Sequence, residues 1–593
     1  MDKKKLEFLA KLAFSIFIIL GAYWYVRKYV PSPSRNQSIA DMAAMLIQIV
    51  IIIYVLYKDT YNKTKYKYES IVIGALVGLS IAMVFIGVRT LNPTNIGWIM
   101  AERDRAQHFL GWNFFRNDTW HFPLGYFNNW ANPEGMSIIF TDSIPLVAVI
   151  LKFFRNFLPS VFQYLGIWIF MSFTLMGAFT ALLFNKVTDN LTIKVLASIF
   201  FVANPLIFQR VGGHTALTSH WLLIWGIYLL INSKYEKKHI INWVVLILLS
   251  LSIHPYFLFM VYIIFLTYLV KGIWVDKILA VKKGVFLVGL TFILTIGVMY
   301  INGYFKVEAE MNAIGFGLAG FNLNSFFNPI GTSRYIKTLN ALPFQYEAMA
   351  YLGLGGILGL IITVVDIIKN GFDNKDSKLR ITLLIMCIVF VIAATSNRIT
   401  YFEHNVVIPI GDLLTKLWSI VRCTGRLIWP VWYIIIFLIF VRIIRTMNNS
   451  SKAQVVLGFL VIVQLLDFSH SYMKNRESLI NEKKWAATLT GEFWNEASKK
   501  YEHIAFVEQI PNYEEIAYFA SVNDITLDYG YFAREPKQLV SKLKDNENKI
   551  LNGNFEKDTL YVISYQDKLI EEISKGKYKD LIKHINGHTF FAP

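Results

Sequence analysis

The sequence predicts an all-α polytopic membrane bundle of about thirteen transmembrane helices, followed by a small C-terminal α/β domain. Three observations predict it. Of 593 residues, 55% are hydrophobic and only 17% charged, with a mean hydropathy of +0.44, a balance that water-soluble domains do not reach. Apolar runs of about twenty residues recur through the first 470 or so positions, each long enough to cross a hydrocarbon core of about 30 Å as a helix. From about residue 474 the composition turns polar and charged.

The runs read through as solid Leu, Ile, Val and Phe, without the alternation of an outer-membrane barrel, so the spans are helices. In order they are expected at about 7–26, 38–57, 70–88, 160–183, 190–208, 220–232, 240–254, 256–271, 284–301, 348–367, 380–395, 426–445 and 453–473. The first follows Lys3, Lys4 and Lys5 as a secretory signal would, but it is long and aromatic (Tyr23, Trp24, Tyr25) and lacks a small-x-small cleavage site, so it reads as a retained anchor. The run 220–232 is short, and 240–254 is separated from 256–271 by His254 and Pro255. Proline frees a backbone carbonyl that protein or water must satisfy, so this stretch reads as a broken or re-entrant pair with His254 near the outer end of a helix, facing a cavity. Within 474–593, helix-like segments (483–501, 536–552, 566–586) alternate with strand-like ones (503–508, 559–565). Residues 1–473 thus form the membrane domain and 474–593 the α/β domain.

The formal charge of +17 does not point to nucleic acid, because 474–593 carries 17 Lys/Arg against 19 Asp/Glu. The excess lies in short connections: Lys58/Lys63/Lys65/Lys67, Lys234/Lys237/Lys238, Lys277/Lys282/Lys283, Lys375/Lys378/Arg380 and Arg442/Arg445. With a cytoplasmic N-terminus, alternation places all of them inside, as the positive-inside rule requires. The long connections 89–159, 302–347 and 396–425, and the C-terminal domain, then lie outside. The two cysteines, Cys387 and Cys423, exclude a disulfide framework and a Cys-type zinc site.

The residues able to carry chemistry collect in those outer connections. Residues 101–116 begin charged and end aromatic, as expected of a helix lying in the headgroup region. In it Glu102 and Asp104 diverge, whereas Asp104 and His108 at i, i+4 share a face and can hold a proton or a metal. Asp142 stands at a loop-to-helix junction, either as an N-cap or as part of a site. His214, His220 and His254 lie at other outer ends, either as interfacial hydrogen-bonders or as substrate or metal contacts. Glu347 precedes a span, where a carboxylate needs a partner or water, and Tyr351 follows it. Gly353, Gly355 and Gly356 read as close helix packing rather than phosphate binding, since no strand precedes them. Arg422 and Arg426 share a face if helical and oppose the positive-inside trend; they grip an anionic headgroup or lipid phosphate, snorkel, or pair with Glu347. Trp429 adjoins them.

An outer face carrying Glu102-x-Asp104 on such a helix, a carboxylate near a span mouth and arginines fit for phosphate resembles the GT-C superfamily of integral membrane glycosyltransferases. The stretches Gln107-His108-Phe109-Leu110-Gly111-Trp112, Phe140-Thr141-Asp142-Ser143 and Gly425-Arg426-Leu427-Ile428-Trp429-Pro430 are similar to those of a group of bacterial membrane proteins related to these enzymes. The resemblance implies transfer of a sugar from a polyprenyl-phosphate donor to a glycan, lipid or protein acceptor on the outer face of the cytoplasmic membrane. It implies Asp104, with Glu102, as the catalytic pair, and Arg426 and Arg422 as the donor-phosphate contacts. His108, Asp142, His214, His220, His254, Glu347, Tyr351 and Trp429 would contact substrate, and Asp104, His108 and Asp142 would be ligands if a divalent ion, Mg or Mn, takes part. In many members the acidic loop follows the first span; here about two more precede it, so either the N-terminus carries an addition or the core begins at the third span. Three other readings stay open. A lipid-linked glycan polymerase or ligase would rely on Arg and His rather than a first-loop carboxylate; a transporter would need charges within spans, which are scarce here; a non-catalytic assembly protein would need only the spans and the tail.

Overall fold

A computed structural model describes residues 3–61, 67–308, 316–372, 377–448, 451–480 and 485–593. Lys63, Lys65 and Lys375 of the basic connections, and the first two positions of the segment 483–501, lie outside the described residues.

Among the described residues nine helices are long and apolar enough to cross a membrane: Lys4–Tyr29, Arg35–Tyr61, Tyr68–Phe85, Leu165–Phe184, Pro255–Val275, Val281–Ile301, Gly353–Asn370, Ser377–Thr395 and Thr424–Thr446. Two bent pairs raise the number to as many as eleven. Leu191–Val202 and Pro205–Val211 meet at 45°; Pro205 has no N–H to continue the ladder, and the Asn204 side chain accepts from the Ile207 N–H to start the next helix. Ser451–Asp467 and Ser469–Ile480 meet at 53°. The expected thirteen therefore become nine to eleven. The run at 220–232 is the eleven-residue helix Trp221–Ile231, about 16 Å long and half a hydrocarbon core. That at 240–254 is the seventeen-residue helix Lys237–Ile253, which opens on two lysines. His220, just before the first, packs on Phe257, just after the second, so the two return the chain to the end where it entered. The chain does break at His254–Pro255: His254 is extended, and its Nδ1 accepts from the Tyr256 N–H at 3.2 Å to cap the helix Pro255–Val270.

Small residues set the closest helix approaches. A Cβ on Gly74 would overlap the carbonyl of Gly177, and one on Gly355 the carbonyl of Leu460, the close backbone contact that glycine allows between spans. A buried bidentate ion pair ties the last helix to the second, Arg476 donating to Asp41 at 3.0 and 2.6 Å.

Among the described residues nine strands form three sheets. β1 (Tyr126–Phe127) and β2 (Met136–Ser137) make a hairpin in the first long connection, β3 (Arg398–Tyr401) and β4 (His404–Val407) another in the third. β5 (His503–Phe506), β6 (Thr526–Leu527), β7 (Thr559–Val562), β8 (Ile582–Ile585) and β9 (His588–Phe591) build the C-terminal sheet in the order β6-β5-β7-β9-β8. β5 is parallel to β6 and β7, and β9 antiparallel to β7 and β8. The helix expected at 483–501 is confined to Glu492–Lys500, beginning after Gly491 at φ 115°. The segment 566–586 is not one helix: Asp567–Lys575 stops before Gly576, and the chain turns into β8.

This domain sits on the first long connection. Leu527 donates to the Asn129 carbonyl and accepts from Asn132 N–H, both at 3.0 Å, and Trp130 Nε1 donates to the Tyr529 carbonyl at 2.9 Å. Arg534 donates to the Ile420 carbonyl at 2.6 Å, and Lys537 N–H to Glu308 O at 3.0 Å. All three long connections and the C-terminal domain thus meet at one end of the bundle.

Asp528, after β6, is buried; it accepts from Phe506 N–H at 3.0 Å and Asn546 Nδ2 at 2.7 Å, and burial pushes its carboxyl up to about 6 from 3.8. The unfolded chain therefore loses this proton first, and stability falls as pH rises from about 4 to about 6, by up to ~3 kcal/mol for a two-unit shift. Asp528→Asn is expected to abolish that slope, read as hydrogen-exchange protection of β5 and β7 amides in the full chain. A slope that persists in the variant contradicts the assignment.

Candidate functional site

The helix Arg103–Asn117 starts from Glu102, its extended N-cap, with Asp104 in the first turn. It does not lie in the headgroup region with a wet face, because residues 105–116 are all buried. The bundle covers one side and the C-terminal domain the other: Asn113 donates to Ser521 at 2.8 Å, and Phe109 stacks on Tyr518. Arg105 and Arg116 lie over Trp98 and Trp112, and Arg103 over Tyr531 of the C-terminal domain.

Asp142 is not an N-cap. The following helix, Pro145–Phe153, is entered through Ile144, and Asp142 itself is left-handed at φ 54° after the short turn Ile138–Thr141. That turn delivers its carboxylate into a group of three imidazoles. His254 Nε2 lies 3.3 Å from Oδ1, while His214 Nδ1 and His108 Nε2 lie 3.7 and 4.0 Å from Oδ2. The other nitrogens are also placed: His108 Nδ1 is 2.9 Å from the Thr215 hydroxyl, and His214 Nε2 is 3.6 Å from Asp104 Oδ2. Asp104 is the most open of these groups, its side chain 31% exposed.

Burial pulls His108 down to about 4, and burial with the Arg426 charge pulls His214 well below its ordinary value. Both imidazoles are therefore neutral near pH 7. Burial pushes Asp142 up, but His254, His108 and His214 outweigh it and hold the carboxyl below the usual range. Asp104 moves the other way, raised by burial and by the charges of Asp142 and Glu102. Two carboxyls on either nitrogen of His214 thus differ in proton affinity, which divides a fixed anion from a group able to take up a proton.

Beside them lies a second buried cluster. Glu347, in the turn Gln345–Ala348, accepts from Arg210 Nη1 at 2.8 Å and from Arg426 Nε at 2.9 Å. Burial raises the Glu347 carboxyl, and the charges of Arg426 and Arg210 more than reverse that. Two guanidiniums around one carboxylate leave an excess positive charge, felt at His214, where Arg426 outweighs Glu347; at Asp104 the Glu347 charge is the larger of the two. Arg426 is stacked 4.8 Å over the Tyr256 ring, and Arg210 5.2 Å over Trp429.

Arg422 and Arg426 do not share a helical face, because the short helix starts only at Thr424. Arg422 is half-buried and near Tyr256 and Tyr531. His220 stands behind the site, with Nδ1 2.8 Å from the Tyr433 hydroxyl and its ring 4.5 Å from Trp429. Tyr351 is further away, donating to Asp467 at 3.0 Å as part of helix packing.

Sequence reasoning missed Arg210, Tyr256 and Tyr531. Arg210 carries the same signal as Arg426, a cation at the end of an apolar run. Tyr531, whose hydroxyl senses Asp104, Arg422, Arg103 and Asp142, carries no such signal.

His108, Asp142 and His214 each offer one ligand atom within 4.8 Å of the other two and can hold a metal ion. Asp104 is not one of the three; His214 takes the place that sequence reasoning gave it. Two imidazoles and a carboxylate suit a transition metal better than magnesium, which prefers oxygen and water.

A family model described as a domain of unknown function, DUF6311, matches residues 75–469. The chain belongs to the DUF6311 family. The DUF6311 C-terminal domain matches residues 493–593, and no curated protein matches the chain. The DUF6311 match begins inside the third long helix, Tyr68–Phe85, and contains every member of both clusters. Tyr531, which faces them, comes from the matched C-terminal domain.

Proposed function

We propose that this DUF6311 protein is a membrane glycosyltransferase that moves a sugar from a polyprenyl-phosphate donor to an envelope glycan, lipid or protein acceptor. The observation that carries the reading is Asp104: a partly open carboxyl of raised proton affinity, beside a buried cluster of two arginines and one glutamate, between an apolar bundle and the C-terminal domain. In this reading the N-terminus is cytoplasmic and the site faces outward at the cytoplasmic membrane of a bacterium, where the apolar bundle holds the prenyl chain.

Asp104 takes the proton of an acceptor hydroxyl as its oxygen attacks the anomeric carbon. The bond from that carbon to the phosphate oxygen breaks, and its electron pair leaves with the lipid phosphate, inverting the centre. A positioned base contributes about 10²–10⁴-fold, and fixed charges at the leaving group commonly contribute more. Arg210 and Arg426 are tied to Glu347 and act through their field, so the direct phosphate contact falls to Arg422. A divalent ion, where bound, would be held by His108, His214 and Asp142 and would supply further positive charge for phosphate.

Cells lacking the chain are expected to accumulate one polyprenyl-phosphate sugar and to lose one glycan modification, read by mass spectrometry of lipid-linked sugars and envelope glycans against wild type. Coincident profiles would sink the proposal. Arg422→Ala should weaken donor binding by about 10–100-fold, the worth of a charge-assisted hydrogen bond of about 1.5–3 kcal/mol, and Arg422→Lys by less, since lysine keeps the charge but loses the fork. Equal donor KM in wild type and both variants removes Arg422 from the phosphate site.

A further inference from the structure

We infer that His108 Nε2, His214 Nδ1 and Asp142 form a three-donor site for one divalent transition-metal ion of the zinc class, selective against magnesium.

Asp142 Oδ2 is 4.0 Å from His108 Nε2 and 3.7 Å from His214 Nδ1, too far for hydrogen bonds. With all three ligand atoms within 4.8 Å of one another, a point equidistant from them lies at most about 2.5 Å from each. Zinc bonds to imidazole nitrogen and carboxylate oxygen run about 2.0–2.2 Å, so a few tenths of an ångström of side-chain movement closes the site.

His108 Nε2 and His214 Nδ1 are buried and have no hydrogen-bond partner, a costly condition for a polar atom. Both are aimed at the same carboxylate oxygen.

Ligating imidazoles characteristically present their second nitrogen to a hydroxyl, carbonyl or carboxylate, which fixes the tautomer. His108 presents Nδ1 to Thr215 Oγ1 at 2.9 Å, and His214 presents Nε2 towards Asp104 at 3.6 Å. His254 completes the outer layer. Its Nδ1 accepts from the Tyr256 N–H, so in the neutral ring the proton is on Nε2, 3.3 Å from Asp142 Oδ1. His254 therefore orients the carboxylate and leaves Oδ2 for the ion. A buried set of two nitrogens and one oxygen favours zinc or iron over magnesium and leaves coordination positions for water or a phosphate oxygen.

The inference concerns the site and stands apart from the reaction: a metal-free chain could still transfer sugar, and a metal-loaded one could do other chemistry. Full-length, untagged protein purified in detergent without chelator is expected to carry close to one transition-metal ion per chain by elemental mass spectrometry. After chelation, Co²⁺ should rebind with visible absorption bands that persist in millimolar Mg²⁺. His108→Ala and Asp142→Asn should lose the ion, whereas His404→Ala, on exposed β4, should keep it. A wild-type chain that retains no transition metal and binds no Co²⁺, or whose Co²⁺ is displaced by Mg²⁺, overturns the site. So does undiminished metal in folded His108→Ala or Asp142→Asn. Should those two variants fail to fold, the wild-type Co²⁺ and Mg²⁺ titrations decide alone.

Discussion

Asp104→Asn is expected to lower glycosyl transfer by about 10²–10⁴-fold, the contribution of a positioned base, while leaving the fold intact. The amide keeps the shape of the carboxylate and removes only its charge and basicity. Little structure depends on that charge: Asp104 is 31% exposed, and its ion-pair contact among the described residues is the 3.6 Å approach to His214. The check is transfer measured on wild type and variant at equal membrane abundance, with thermal unfolding in detergent run alongside. Undiminished turnover rules Asp104 out as the base. Should turnover survive in Asp104→Asn but vanish in Arg422→Ala and His214→Ala, the lipid-linked glycan polymerase reading gains instead. Asp142→Asn is a different experiment, because it disturbs a fixed anion that faces three imidazoles.

What the sequence made legible, and what it hid, follows from which physical signals are local. Long apolar runs report spans directly, and nine of the thirteen expected are long helices, two more being bent pairs. The two that fell short, Trp221–Ile231 and Lys237–Ile253, are apolar in part because they pack inside the protein, and hydropathy does not separate that burial from a lipid environment. Asp104, His108, Asp142, His214, His254, Glu347 and Arg426 were legible as chemistry without a home in an apolar chain, and all converge. Their pairing was not legible. Asp104 and His108 share a helical face in sequence, yet His108 turns to Asp142 and Asp104 to His214, because Asp142 and His214 arrive on turns whose direction no periodicity encodes. The burial of 105–116 was hidden for a related reason: what covers this helix comes from far along the chain, Asn113 and Asn117 both donating to Ser521 in a domain some four hundred residues away.

Glu347→Gln is expected to cost about 3–5 kcal/mol of stability, the penalty for breaking a buried ion pair from one side. The reason is the count of charges. Arg210 and Arg426 share one carboxylate oxygen at 2.8 and 2.9 Å, and their side chains are only 4% and 5% exposed. Removing that negative charge leaves two guanidiniums buried against each other. Arg210→Met should cost less, because it leaves a balanced Glu347–Arg426 pair and fills the space over Trp429 with an apolar chain. Adding Arg210→Met to Glu347→Gln should then recover part of the loss, since one unpaired buried cation is less costly than two. Thermal unfolding of the four forms in detergent gives the cycle, with a coupling above about 1 kcal/mol expected for residues in direct contact. Strictly additive losses would mean that solvent already screens the cluster, and the field that the proposed mechanism places beside Asp104 would then be too weak to steady a leaving phosphate.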